Sequence, residues 1–94
     1  MSADLLGARV VRGSGIASKR VGTEWVILEP NKQYVRKLNE NAGFLWAKTT
    51  RAVPVSSLVR GLAAKFSIPE RVAERDVIVF IRQYLRDGLL MIVS

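Results

Sequence analysis

Side chains capable of acid–base or metal chemistry are scarce in this 94-residue sequence, and their spacing limits what it can do. There is no His and no Cys. That removes the usual general base near neutral pH, the commonest metal ligand, thiol nucleophiles and disulfides. The carboxylates are Asp4, Glu24, Glu29, Glu40, Glu70, Glu74, Asp76 and Asp87. Only Glu70, Glu74 and Asp76 approach a cluster, and nothing near them completes a metal site or an acid–base pair. Gly13-Ser14-Gly15 lacks the Lys and the strand–helix setting of a phosphate loop. The chain is therefore expected not to be an enzyme and to need no cofactor.

The cations are more informative. Fifteen Lys and Arg stand against eight Asp and Glu, a net +7, and such a field attracts anionic partners. Arg71, Arg75, Arg82 and Arg86 fall on one face of a helical segment, with Val72 and Val79 at its margin. Ala73, Val77, Phe80, Ile81 and Tyr84 form the apolar stripe roughly opposite. The arginine face has two readings. One is a solvated surface of snorkelling side chains. The other is the wall of a groove for an extended ligand carrying acidic and apolar residues. Periodicity alone does not separate them.

The elements that would carry these residues follow from local signals. Residues 5–11 could add a strand, but Gly13-Ser14-Gly15 follows as a flexible break, so residues 1–15 are expected to be a tail ahead of a single domain over 16–94. Three short β-rich runs (16–21, 24–28 and 33–38) are joined by Gly22-Thr23 and by Glu29-Pro30-Asn31-Lys32, which predicts an antiparallel meander. The third run mixes Gln33, Arg36 and Lys37 with Tyr34, Val35 and Leu38, as suits an edge strand. Asn39 is an N-cap candidate for a helix presenting Ala42, Leu45, Trp46 and Thr49. Gly43 in that helix implies close packing against another backbone. A second helix, 55–66, aligns Leu58, Leu62 and Phe66. Ser67-Ile68-Pro69-Glu70 fits a capping box opening a third helix that runs to about 87, where Gly88 stops it. The apolar residues 89–93 then pack down or add a strand. The expected class is α+β: a three-stranded antiparallel sheet followed by three helices, resembling a winged helix-turn-helix. The N-terminus is a poor signal peptide and no apolar run is long enough to span a bilayer, so a cytoplasmic protein without a membrane partner is expected.

The stretches EWVILEPNKQYVRKLNENAGFLW, VSSLVRGLAAKF and SIPERVAERDVIVFIRQYLRDGLL together resemble the PqqD-like family, the recognition elements of ribosomal-peptide (RiPP) biosynthesis. The resemblance covers about residues 16–90. It rests on the ordered series Trp25 to Leu28, Pro30, Leu38-Asn39-Glu40, Gly43, Leu45-Trp46, Leu58, Leu62, Asp76-Val77, Phe80, Leu85 and Gly88-Leu89-Leu90. Asn41, where the family often has Thr, and Pro54, where Ser or Thr often caps the second helix, depart from the pattern, and the basic charge exceeds that of a typical member.

The resemblance implies capture of a precursor's leader peptide by strand addition to the third strand, beside the third helix. It also implies presentation to a modifying enzyme, such as a radical SAM enzyme or a leader peptidase/cyclase. The site so implied comprises Gln33, Tyr34, Val35, Arg36 and Lys37 on the edge, and Arg71, Arg75, Ile78, Val79, Arg82 and Arg86 on the wall. The alternative is a winged-helix DNA-binding protein, which the net charge favours. Glu70 and Glu74 oppose it, because they would meet phosphate at the start of the third helix. A third reading, a structural subunit burying Trp25, Trp46 and residues 89–93 in a partner, has little support, since both tryptophans fit a core.

Overall fold

The computed structural model describes residues 5–29 and 35–93. The expected turn at Pro30-Asn31-Lys32, and the expected edge residues Gln33 and Tyr34, lie outside the described residues. The meander is present: β2 (Ala17–Val21), β3 (Glu24–Leu28) and β4 (Val35–Leu38) pair antiparallel in the order β2-β3-β4. Its register sets Trp25 opposite Leu38 and Leu28 opposite Val35. Alternation then sends Ile27 and Leu38 into the core and leaves Leu28, Val35 and Lys37 exposed.

Asn39 follows β4 directly and caps α1 (Glu40–Ala47), its side chain accepting from the Ala42 N–H at 2.8 Å. The closeness that Gly43 requires is to a side chain rather than a backbone: a Cβ there would meet Trp25 Cδ1 at 3.2 Å. A 3₁₀ turn (Lys48–Thr50) leads to β5 (Val53–Pro54) and α2 (Val55–Phe66). Leu58 and Leu62 are fully buried, and α2 packs against α3 (Glu70–Arg86). The whole predicted stripe of α3, Ala73, Val77, Phe80, Ile81 and Tyr84, lies in the core, where Trp46 and Leu45 meet it.

Both ends of α3 follow from backbone bonding. At the C-terminal end Gly88 takes φ +75, and the N–H groups of Gly88 and Leu89 return to Leu85 O (3.1 Å) and Tyr84 O (2.8 Å). This is a Schellman closure that a residue without Cβ makes at little cost. At the other end the expected capping box is absent. Ser67 takes φ 54 as the left-handed C-cap of α2, its N–H returning to Ala63 O, and Pro69 precedes α3 with no side-chain cap. Reversing the chain between two packed helices needs a positive φ at residue 67, so Ser67 closes the earlier helix and does not open the later one.

The segment expected to be a tail contains β1 (Arg9–Arg12), the central strand of a second antiparallel sheet in the order β5-β1-β6. Val10 is fully buried in it. Residues 90–93 form β6, paired along β1 from Arg9↔Val93 to Arg12↔Leu90. Gly13 ends β1 tightly. Its N–H donates to Leu89 O at 2.9 Å, and a Cβ there would lie 2.9 Å from Gly88 O. The chain is thus α+β, with two three-stranded antiparallel sheets and three helices of eight residues or more among the described residues. No helix among them is long and apolar enough to cross a membrane.

Candidate functional site

Strand β4 pairs with β3 on one side, and no described strand pairs with its other side. That open edge borders a cleft of about 650 Å³ between β4, the first turns of α1 and one face of α3. Buried Leu38, Leu45, Phe80 and Tyr84 contribute its apolar lining, and the Phe80 and Tyr84 rings stack 4.1 Å apart at 33°. Lys37, Arg75, Val79 and Gln83 stand exposed around it, with Asp76 partly buried; Asn39, Asn41 and Ala42 complete the α1 side. Val79 is an exposed apolar side chain on the helical wall, at 51% exposure. The cleft thus offers backbone hydrogen-bonding groups on one side, apolar surface at its base and mostly positive charge at its mouth.

Arg36 has a different role from its neighbours. Its Nε donates to Glu29 Oε2 at 2.9 Å, and its Nη2 to Glu29 Oε1 at 3.2 Å and to Asp87 Oδ2 at 2.6 Å. The guanidinium also lies over the Tyr84 ring, 5.2 Å from its centroid. The bonds to Glu29 and then to Asp87 raise its pKa beyond the ordinary arginine value, outweighing the opposing cost of burial. Burial raises the Tyr84 phenol as well, while Arg36 pulls it down. This bidentate and bridging geometry is the strongest that arginine makes. Arg36 pins β4 to the end of α3, so its guanidinium is already engaged.

Of the other expected site residues, the structure gathers Lys37, Arg75 and Val79 at the cleft, together with the open edge at Val35. Arg71 and Arg82 are exposed outside its lining. Arg86 is also outside, its Nε 3.8 Å from Asp87 Oδ1 with the side chain 73% exposed. Ile78 is buried and does not line the cleft. The cleft face of α3 comprises residues 75, 76, 79, 80, 83 and 84, a strip rotated from the arginine stripe toward Asp76 and Gln83. Sequence reasoning missed Asp76, Gln83, Asn41 and Ala42. An available signal was Val79, an apolar residue outside the core stripe whose helical neighbours at three and four positions include Asp76 and Gln83. Among the described residues no group of three or more potential metal ligands converges.

Residues 24–90 match the family described as "Coenzyme PQQ synthesis protein D (PqqD)". No curated protein matches the sequence. Among solved structures, the fold is similar to that of "TbiB1 in Complex with the TbiA(beta) Leader Peptide", with a TM-score of 0.74 and 20% identity, over 85% of this chain and 93% of that one.

Proposed function

The chain belongs to the PqqD family, and from that premise we propose that it captures the leader segment of a ribosomally made precursor peptide and presents it to a modifying enzyme. The observation that carries this reading is the open edge of β4 beside the α3 wall. An extended peptide adding to that edge would gain main-chain hydrogen bonds for affinity, and its alternate side chains would enter the cleft for specificity. An apolar leader side chain would sit against Val79 and Ala42 over Phe80 and Leu45. A leader carboxylate would meet Lys37 or Arg75, while Asp76 would disfavour a second carboxylate beside it. Arg36 serves by holding β4 in place. The similar fold of TbiB1, solved in complex with the TbiA(beta) leader peptide, supports the same reading.

In this reading the protein is a binding partner and performs no chemistry. Among the described residues Asp76 is the sole carboxylate lining the cleft, with no second carboxylate there to share acid–base work. A winged helix-turn-helix arrangement would let α3 approach DNA, but its first turns carry Glu70 and Glu74.

Fluorescence polarisation with a labelled leader peptide, taken from a short reading frame beside the gene, tests the proposal at physiological salt. Saturable binding is expected, with random duplex DNA binding weakly. N-methylating alternate leader amides should weaken binding in one phase of the alternation and spare it in the other. Equal affinity for all N-methylated forms would rule out strand addition. Strong DNA binding without a peptide response would overturn the proposed function.

A further inference from the structure

From Asn41 to Pro69 the chain carries four cations, Lys48, Arg51, Arg60 and Lys65, and no carboxylate. All four are exposed, and none of the ion pairs among the described residues involves them. Lys48 and Arg51 border a shallow, open depression. A second cleft, of about 390 Å³, opens where the 3₁₀ turn and β5 meet the outer face of α2, lined by Lys48, Arg51, Val53, Ser57 and Gly61 among others. Lys48 lies across its floor: the ammonium stands 4.8 Å from the Phe44 ring centroid, and its stem passes 3.7 Å from where a Cβ on Gly61 would be. Arg60, on the same helix, donates to Ser57 Oγ at 3.4 Å. This cleft shares no lining residue with the one beside β4.

We propose that this second cleft is a docking site for an acidic segment of a protein partner, one in which carboxylates alternate with small aliphatic side chains. Charge complementarity selects the acidic part, since among the described residues these cations have no carboxylate partner and no carboxylate lines the cleft. The lining selects the aliphatic part. Ala52, Val53 and the methylenes of Lys48 offer apolar contact between the charges, which a phosphate backbone would leave unused. Two cations at the 3₁₀ turn and two along α2 also give few simultaneous phosphate contacts, so duplex nucleic acid would gain little here. With separate linings, leader peptide and acidic partner can occupy the two clefts at once.

The test is polarisation with a labelled peptide in which single Leu residues interrupt runs of Glu, titrated with the full chain, and amide chemical shifts followed by NMR. Random duplex DNA and anionic phosphatidylserine vesicles serve as parallel probes. Shifts are expected over residues 48–61, with affinity falling at least roughly tenfold in Lys48→Glu/Arg51→Glu, as for loss of two charged hydrogen bonds. Arg75→Glu should leave this peptide's affinity unchanged. The inference fails if the shifts map to β4 and α3, if the double reversal is silent in a folded protein, or if no binding occurs. It also fails if DNA or the vesicles bind this face more tightly than the peptide and lose binding in the same variant.

Discussion

At one edge of the hairpin sheet Arg36, on β4, sits between Glu29 and Asp87; at the opposite edge Arg12 reaches from β1 to Ser18 on β2 and to the end of α1. Among the described residues Arg12 meets no carboxylate. It donates to Trp46 O (2.8 Å), Thr49 Oγ1 (3.2 Å) and Ser18 Oγ (3.3 Å), and its guanidinium lies over the rings of Trp46 (4.4 Å) and Trp25 (5.4 Å). The two joints therefore perturb the same side chain in opposite directions. Burial without counter-charge lowers the Arg12 pKa, whereas hydrogen bonding to Glu29 raises that of Arg36. The contrast shows how a small basic domain fixes a sheet at both edges. One joint relies on ion pairing with a carboxylate that is only 5% exposed; the other spreads a cation over aromatic faces and backbone oxygen.

The first way to break the comparison is Arg36→Met. It removes the guanidinium from a buried carboxylate, and a loss of about 3 kcal/mol is expected by urea denaturation, with Arg36 partly exposed and the effect at the low end of its class. Adding Glu29→Gln should recover much of that loss, which a double-mutant cycle would measure. Arg12→Met should cost less, about 1–2 kcal/mol. Trp46 O keeps its bond from the Thr49 hydroxyl at 2.7 Å, and the thioether chain still packs on the indoles. Equal losses at the two sites would mean that aromatic faces and carbonyls hold a cation as firmly as carboxylates do.

Function sharpens the same contrast. Leader affinity should fall with Arg36→Met, which releases β4, and stay within about twofold of the parent with Arg12→Met. Val35→Pro, which deletes a backbone N–H from the edge strand, should weaken leader binding by roughly tenfold, about 1.4 kcal/mol, in a protein whose circular dichroism is unchanged. Unchanged affinity there would place the peptide elsewhere. The smallest effect is expected from Arg82→Glu, outside the cleft: under about 0.5 kcal/mol in stability and no shift in leader affinity.

The legible parts of this fold were those written in neighbouring residues. Asn39 and Gly88 could be assigned as caps because each acts within one turn. The α3 core stripe needed only helical spacing. The strand potential of residues 5–11 was visible, but the pairing that makes β1 a central strand was illegible because Val10 pairs with Val53 and Ile92, positions that no local window joins. Ser67 was misassigned because the same residue type suits the start of one helix and, at positive φ, the end of another; packing of α2 on α3 chose between them. In the candidate site, the open edge at Val35 and Lys37 and the wall positions Arg75 and Val79 came from pattern and resemblance. The role of Arg36 did not, because a cation on an edge strand looks solvated until Glu29 and Asp87 converge on it from 7 and 51 residues away.

The pairing of β1 with β6 also sets an order of assembly. While the chain is being made, residues 9–12 emerge well before their full-length partner at 90–93, which leaves the ribosome only after all three helices. The hairpin, with the edge proposed for the leader, can form much sooner, since its strands are neighbours in sequence. Gly13 closes against the Gly88–Leu89 backbone, a contact expected to form only once the C-terminal strand is in place. A bulkier residue there would slow the final step of folding while leaving the earlier hairpin intact, a separation visible in refolding kinetics.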